Sequence, residues 1–391
     1  MKRLLMALPI LTLLAACGEG TLFTRSMEEG VAVLTYHRYE PPATDPYRVE
    51  PGPVLGAAQG ADTYLLGAAE VAGITPDGLV IVDDRREGRI HRFSLDGSHL
   101  GAFGRRGSGP GELGSRYHVT FVDSTDITVY AEGRLLSFAH DGTYRKEWRP
   151  DPGIPLNRMM NAFQHPVPLE GKSGYISPAR RFVAPRAGEE EGRYTIQLQV
   201  LDGSFARVTS VVDTTLVRRM IWLPGNYGVP APFQEDLLFG IAPWQPLAWN
   251  WSPEEDRIDF LDTGTMTRSA VVIPWTREPV READREEVFN RYRGEQEAVA
   301  RERIRVPDRL PAIGPMMWDG TGRLWVFHYQ GAEAEEAGEP RLATVLDREG
   351  RWLFDQHLPV EPDRIEGDLF FKNTEDEQGQ PVAEVYRLVE R

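Results

Sequence analysis

One cysteine, Cys17, is all the thiol chemistry in 391 residues. A single thiol can form no internal disulfide and no thiolate metal site. Lysine is almost as scarce, at positions 2, 146, 172 and 372 only, so the basic residues are nearly all arginine. Acids outnumber bases 59 to 44, for a formal net charge of −15. That sign repels phosphate backbones and no basic stripe stands out, which argues against a nucleic-acid partner and against anionic lipid surfaces except through an anchor. The apolar run Leu4–Leu14 is too short to span a bilayer as a mature helix. No Gly-x-Ser-x-Gly elbow and no His-Glu-x-x-His helix occurs. Gly109-Pro-Gly-Glu-Leu-Gly114 has the spacing of a dinucleotide fingerprint, but strand-like Tyr117-His-Val-Thr-Phe follows where a helix is needed. Gly171-Lys-Ser173 is half of a phosphate loop, and its upstream glycine position holds Pro166.

What is present begins with Lys2 and Arg3, the apolar run, and then Leu14-Ala-Ala-Cys17. This order reads as a signal peptide over residues 1–16. Leu-Ala-Ala-Cys resembles the lipobox of bacterial lipoproteins, which implies that Cys17 is acylated and becomes the N-terminus. Gly18 stands where an inner-membrane retention signal would place aspartate, so the resemblance implies the outer membrane of the cell envelope. Residues 17–30 are expected to tether the body to the membrane. Loss of Lys2 and Arg3 makes the mature chain two units more negative.

The body repeats. Arg89-Ile-His-Arg-Phe-Ser-Leu-Asp-Gly97 and Arg134-Leu-Leu-Ser-Phe-Ala-His-Asp-Gly142 share Arg, Phe, Asp and Gly at identical offsets, 45 residues apart. Weaker copies end at Gly203, Gly264 and Gly350. Each is a period-two strand closed by a turn whose Asp and Gly tolerate positive φ, with an apolar strand before and after it. Five such units are counted. Asp368–Lys372 and Val382–Val389 begin a sixth, whose missing strand the N-terminal region can supply, with Val31–Tyr36 and Arg48–Leu55 as candidates. The expected fold is therefore all-β: a six-bladed propeller of four-stranded antiparallel blades over residues 31–391, closed by strands from both chain ends in one blade. The competing architecture is a pair of β-sandwiches.

Residues 77–113 resemble an NHL repeat, with Asp-Gly, Val-Asp, Arg-Ile-x-x-Phe, Asp-Gly, Phe-Gly and the Gly-x-Gly-x-Gly-Glu tail in order. The whole chain resembles the six-bladed propeller lipoproteins of diderm bacteria. The resemblance implies the fold and little of the activity. Between blades four and five, residues 282–303 are dense in Glu and Arg, with Glu287/Arg291 and Glu297/Arg301 at i,i+4 spacing; a helical insertion capping a blade interface is expected, although Gly294 weakens its middle.

Some enzymes similar to NHL propellers hold a metal in the central tunnel, and the resemblance points here to His118 and His165, with Glu70 as the nearby carboxylate. Divalent zinc or calcium would be the cofactor of that alternative, a hydrolase or lyase; otherwise no cofactor is expected. Trp222, Tyr227 and Trp244 lie in an aromatic and proline-rich region. They are the candidate platform for a ligand, Trp222 and Tyr227 within an irregular segment. Trp249 and Trp251 instead alternate along a strand and are expected between blades. The leading reading is a membrane-anchored binding or scaffolding module for a protein, peptide or glycan, and nothing in the chain signals an oligomeric state.

Overall fold

Strands form where apolar residues alternate, and they reverse at turns capped by a carboxylate. Asp347 Oδ1 accepts the N–H groups of Glu349 at 2.9 Å and Arg351 at 2.8 Å, and Asp376 Oδ1 accepts those of Gln378 and Gln380, both at 2.9 Å. Asp96 and Asp141 take the N–H two residues on in the same way. Gly97, Gly142, Gly350 and Gly379 then turn the chain at φ between 74° and 93°. At Gly142 a Cβ would lie 2.7 Å from that of Phe103, so space and backbone both demand glycine. Blade four departs from this pattern: Asp262 caps its turn through Gly264 and Thr265, and Met266 takes the positive φ.

The computed structural model describes residues 22–56, 65–149, 167–170, 174–183, 191–202, 208–223, 227–230, 232–233, 238–240, 245–250 and 255–391. The chain opens with β1 (Phe23–Glu28), β2 (Val31–Tyr36) and β3 (Tyr47–Leu55). Blade one is β4 (Glu70–Ile74), β5 (Leu79–Asp84), β6 (Arg89–Ser94) and β7 (His99–Phe103). Blade two is β8 (Tyr117–Val122), β9 (Ile127–Ala131), β10 (Arg134–Phe138) and β11 (Tyr144–Trp148). Blade three holds β12 (Val167–Pro168), β13 (Gly174–Val183), β14 (Glu191–Asp202), β15 (Val208–Leu223) and β16 (Tyr227–Pro230). Blade four holds β17 (Leu238–Gly240), β18 (Leu247–Asn250), β19 (Arg257–Leu261) and β20 (Arg268–Val272). After α1 (Glu282–Asn290) and α2 (Glu295–Arg303), blade five runs through β21 (Ile313–Trp318), β22 (Leu324–His328), α3 (Ala332–Glu336), β23 (Arg341–Leu346) and β24 (Trp352–Leu358). Blade six holds β25 (Arg364–Glu366), β26 (Leu369–Glu375) and β27 (Pro381–Glu390).

Apolar clusters between successive blades hold these six sheets in a ring. Ile81 and Ile90 meet Tyr117 and Val129 between blades one and two, and Tyr130 and Leu135 meet Leu201 between two and three. Ile176 and Leu198 face Leu247 and Trp249, Phe260 faces Met316 and Leu324, and Trp325 and Phe327 face Phe370. Phe371 and Val385 return to Val80 and Phe93 of blade one. The ring is a closed β-propeller of six blades.

It closes where β3 pairs antiparallel with β27, from Tyr47↔Glu390 to Leu55↔Ala383. Pro51 and Pro53 suit this outermost strand, because proline has no N–H to donate outward. The other candidate, Val31–Tyr36, closes nothing. It pairs parallel with β20, and β1 pairs antiparallel with it, so blade four's sheet has six strands rather than four. The physical reason is its two apolar faces: Val31 and Val33 pack on Ala270, whereas Leu34 and Tyr36 enter the core between blades four and five. Blade three also departs from expectation, with five strands. Residues 23–28, within the span read as tether, are strand β1.

The insertion is two helices rather than one. Gly294, at φ 57°, breaks it and starts α2. Val288, Phe289, Tyr292 and Ala300 pack on Leu223 and Val229 of blade three's outer hairpin, while Asp284 of α1 accepts the Ala332 N–H of α3 in blade five at 2.7 Å, so the pair bridges blades three and five. The Glu297–Arg301 pair forms at 3.3 Å, and Arg301 reaches Glu286 at 3.0 Å as well. Among the described residues no helix is long and apolar enough to cross a membrane.

Candidate functional site

The inner strands put Glu70 at the head of β4 and His118 second in β8, in adjoining blades. Each already has a partner: Glu70 is ion-paired with Arg85, and the His118 ring stacks on Tyr130 at 5.4 Å and 26°. His165, Trp244 and Cys17 lie outside the described residues. Among the described residues no group of three or more His, Cys, Asp or Glu converges on a point that could hold a metal. Trp222 is the last residue but one of β15, opposite Gly228, and Tyr227 begins β16, opposite Leu223. They sit on a regular hairpin, and their side chains are outside the description. Trp249 is fully buried between blades three and four, on a strand whose four residues are all buried, and Trp251 lies outside the described residues. The glycine-rich stretch after β7 is a blade-to-blade turn: Glu112 accepts the Gly109 N–H at 2.7 Å, and buried Arg134 donates to the Glu112 carbonyl at 2.9 Å.

Beside Glu70 lies a buried group that sequence reasoning missed. Asp83, cross-strand from Glu70, accepts the Val119 N–H at 3.2 Å, and burial pushes its carboxyl up to about 7. Neighbouring Asp84 accepts three backbone N–H groups, from Gly67, Ala68 and Glu87. His91 packs near it with Nδ1 3.1 Å from His99 Nε2; burial first, and the second imidazole next, lower it to about 4. The signal in the sequence was a polar pair ending an apolar strand, Leu79-Val-Ile-Val-Asp-Asp84.

A second buried polar cluster joins the N-terminal segment to blade five. The Tyr39 hydroxyl donates to Asp355 and sits 3.3 Å from both His328 Nε2 and Thr344 Oγ1. Trp352 Nε1 donates to the other Asp355 oxygen at 2.9 Å. Burial raises Tyr39 and Asp355 and lowers His328 to about 4. Asp355, set among the apolar residues of β24, was its one sequence cue. Its groups satisfy one another.

One opening among the described residues is on the rim. A cleft of about 930 Å³ lies between the β1–β2 hairpin, the β19–β20 turn and the β23–β24 turn, with Glu170 of blade three at its border. Exposed Ala32 gives it apolar surface, with the nearly buried Leu34 and Phe260 behind, and Thr265, Thr267 and Ser269 add hydroxyls. Its charges are mixed. Arg348 faces Glu170 at 3.8 Å, and Arg351 is held by Asp347 at 3.1 Å and Glu349 at 3.3 Å. The Asp262 carboxyl is consumed by turn amides, which hold it below the usual carboxylate range. Arg25 differs: its guanidinium lies 6.0 Å from the Phe23 ring centroid, with its charge directed to no carboxylate of the cleft. A partly apolar cleft of this volume with hydroxyls and arginine suits a peptide segment carrying a carboxylate.

No protein-family model and no curated protein matches the chain. Solved structures resemble it in shape. A member of the DUF4221 family from Bacteroides vulgatus is 10% identical, with 89% of this chain and 99% of that one covered and a TM-score of 0.47. Virginiamycin B lyase from Staphylococcus aureus is 8% identical over 88% of this chain and 100% of its own, at 0.38. BamB from Moraxella catarrhalis is 10% identical over 88% and 90%, at 0.31. At such identities these are likenesses of shape, and no ligand or activity travels with them.

Proposed function

We propose that this chain is a non-enzymatic binding or scaffolding module of the bacterial envelope, held at the outer membrane by a lipid on Cys17, which docks a protein segment in the rim cleft. The anchor reading is supported by the basic start, short apolar run and Leu14-Ala-Ala-Cys17. Docking is supported above all by one observation: the cleft is built from turns of three blades plus the terminal hairpin, and Arg25 brings it a charge that no carboxylate among the described residues pairs. A propeller offers a rigid, loop-lined disc, which suits recognition without chemistry.

The test is a photo-crosslinking amino acid at exposed Thr267 in intact cells, with the same group at exposed Asp141 of blade two as the comparison. A discrete protein adduct is expected at 267 alone and should fall at least five-fold with Arg25→Glu. Adducts that are equal at both positions, or indifferent to Arg25→Glu, dispose of the cleft as the docking site.

A further inference from the structure

The first described strand carries its apolar side chains outward. All six residues of β1 are exposed, with Phe23 at 40% and Met27 at 69%, and Leu22 just before them is at 40%. Single exposed apolar residues need no explanation, but three within six positions of one edge strand form a patch. This strand is also where the chain enters the ring, as the outermost member of blade four's sheet.

We infer that this edge rests on the lipid bilayer, so that the disc stands on the rim of blade four with blade one farthest from the membrane. The inference rests on the proposed acylation of Cys17. Five residue steps separate Cys17 from Leu22, and a fully extended chain covers at most about 3.6 Å per residue, or roughly 18 Å. Covalent geometry therefore keeps Leu22 within roughly 18 Å of the anchored Cys17, whatever path residues 18–21 take, so this edge is held near the interface and within reach of it. An apolar patch held there is removed from water by the interface itself. Phe23, Arg25 and Met27 alternate onto one face of β1, and the arginine stem can lie along lipid while its guanidinium stays at headgroup level. Glu28 does not oppose this, because Arg257 neutralises it at 3.0 Å. The attraction is apolar, so it is compatible with a strongly acidic protein and needs no anionic lipid. The rim cleft shares Arg25 and Ala32 with this hairpin, so a partner seated in it would be held at the membrane surface.

The sole native cysteine, once acylated, is blocked, so an introduced cysteine takes a fluorophore at one place. Met27→Cys is compared with Leu100→Cys, which is 47% exposed on the outermost strand of blade one. Both full-length proteins are purified from membranes and returned to phosphatidylethanolamine/phosphatidylcholine vesicles, and quenching by aqueous iodide is measured. Intact mass reports the lipid on Cys17 independently. Quenching at residue 27 is expected to be at least three-fold weaker than at residue 100. Equal quenching on protein whose mass shows the lipid overturns the edge-on placement and leaves the anchor standing. A mature protein without lipid on Cys17 overturns both.

Discussion

His91 and Asp83 sit on facing strands of blade one, and burial moves each toward its neutral form. For the histidine, lowered to about 4 from an ordinary 6.5, the stabilising neutral state is complete above 6.5 and is lost as pH falls toward 4. For the aspartate, raised to about 7 from 3.8, stability is complete below 3.8 and is lost as pH rises through 7. Within pH 4–7 the two residues therefore push stability in opposite directions. At about 1.4 kcal/mol per unit, each contribution is on the order of 3–4 kcal/mol across that range. His91→Gln is predicted to flatten the acid-side fall of the thermal midpoint between pH 7 and 4, and Asp83→Asn to steepen it. Melting curves that run parallel to the parent for both variants would show that neither group titrates in the folded ring as its burial demands.

At the scale of an element, residues 37–46 act as a strap over the outer strand of blade five. Ala43 and Asp45 exchange backbone hydrogen bonds with Asp355, both at 2.8 Å, and Tyr39 reaches under them to the Asp355 carboxylate. Tyr39→Phe keeps the ring in place but leaves that nearly inaccessible carboxylate short of a donor, which costs about 1–3 kcal/mol. Urea unfolding should show this loss for Tyr39→Phe and almost none for exposed Arg38→Ala; equal midpoints would remove the strap's anchoring role. How far such elements were legible differs. The Asp-Gly turns and the 45-residue repeat announced the blades because both are local: a carboxylate capping amides two to four residues on, then a glycine at positive φ. The destinations of β2 and β3 were not local. Both alternate apolar residues, and only the prolines of β3 and the two apolar faces of β2 separate an outermost strand from a buried one. The rim cleft was illegible because Arg25, Asp262 and Arg348 meet only through the ring. Glu70 and His118 could be placed at the heads of inner strands, but their partners Arg85 and Tyr130 follow from cross-strand geometry that spacing does not reveal.

For the whole molecule, the decisive join is the pairing of β3 with β27, the one blade assembled from both chain ends. Four of the other blades are continuous stretches that can form by local hairpins, and blade four's own strands β17–β20 are too before β1 and β2 join them, whereas this sheet needs ends separated by nearly the whole chain, at the largest loop-closure entropy. Opening should therefore start at this seam and expose Val80, Phe93 and Phe371, whose packing joins blade six to blade one. A covalent bridge across the seam ought to stabilise every blade together. Arg48 and Val389 are register partners there, so Arg48→Cys with Val389→Cys, in a Cys17→Ser background, allows a disulfide in a place open to solvent on the Arg48 side. Oxidation is predicted to raise the unfolding midpoint by about 2–4 kcal/mol equivalent, with tryptophan fluorescence and far-ultraviolet dichroism moving together. The matching bridge across the terminal hairpin, Thr24→Cys with Thr35→Cys, closes a far shorter loop and joins strands that do not close the ring, so it should raise the midpoint by less than the seam does. If oxidising the seam shifts no midpoint while the disulfide is shown to form, unfolding begins in some other blade and the ring is not held by its two ends.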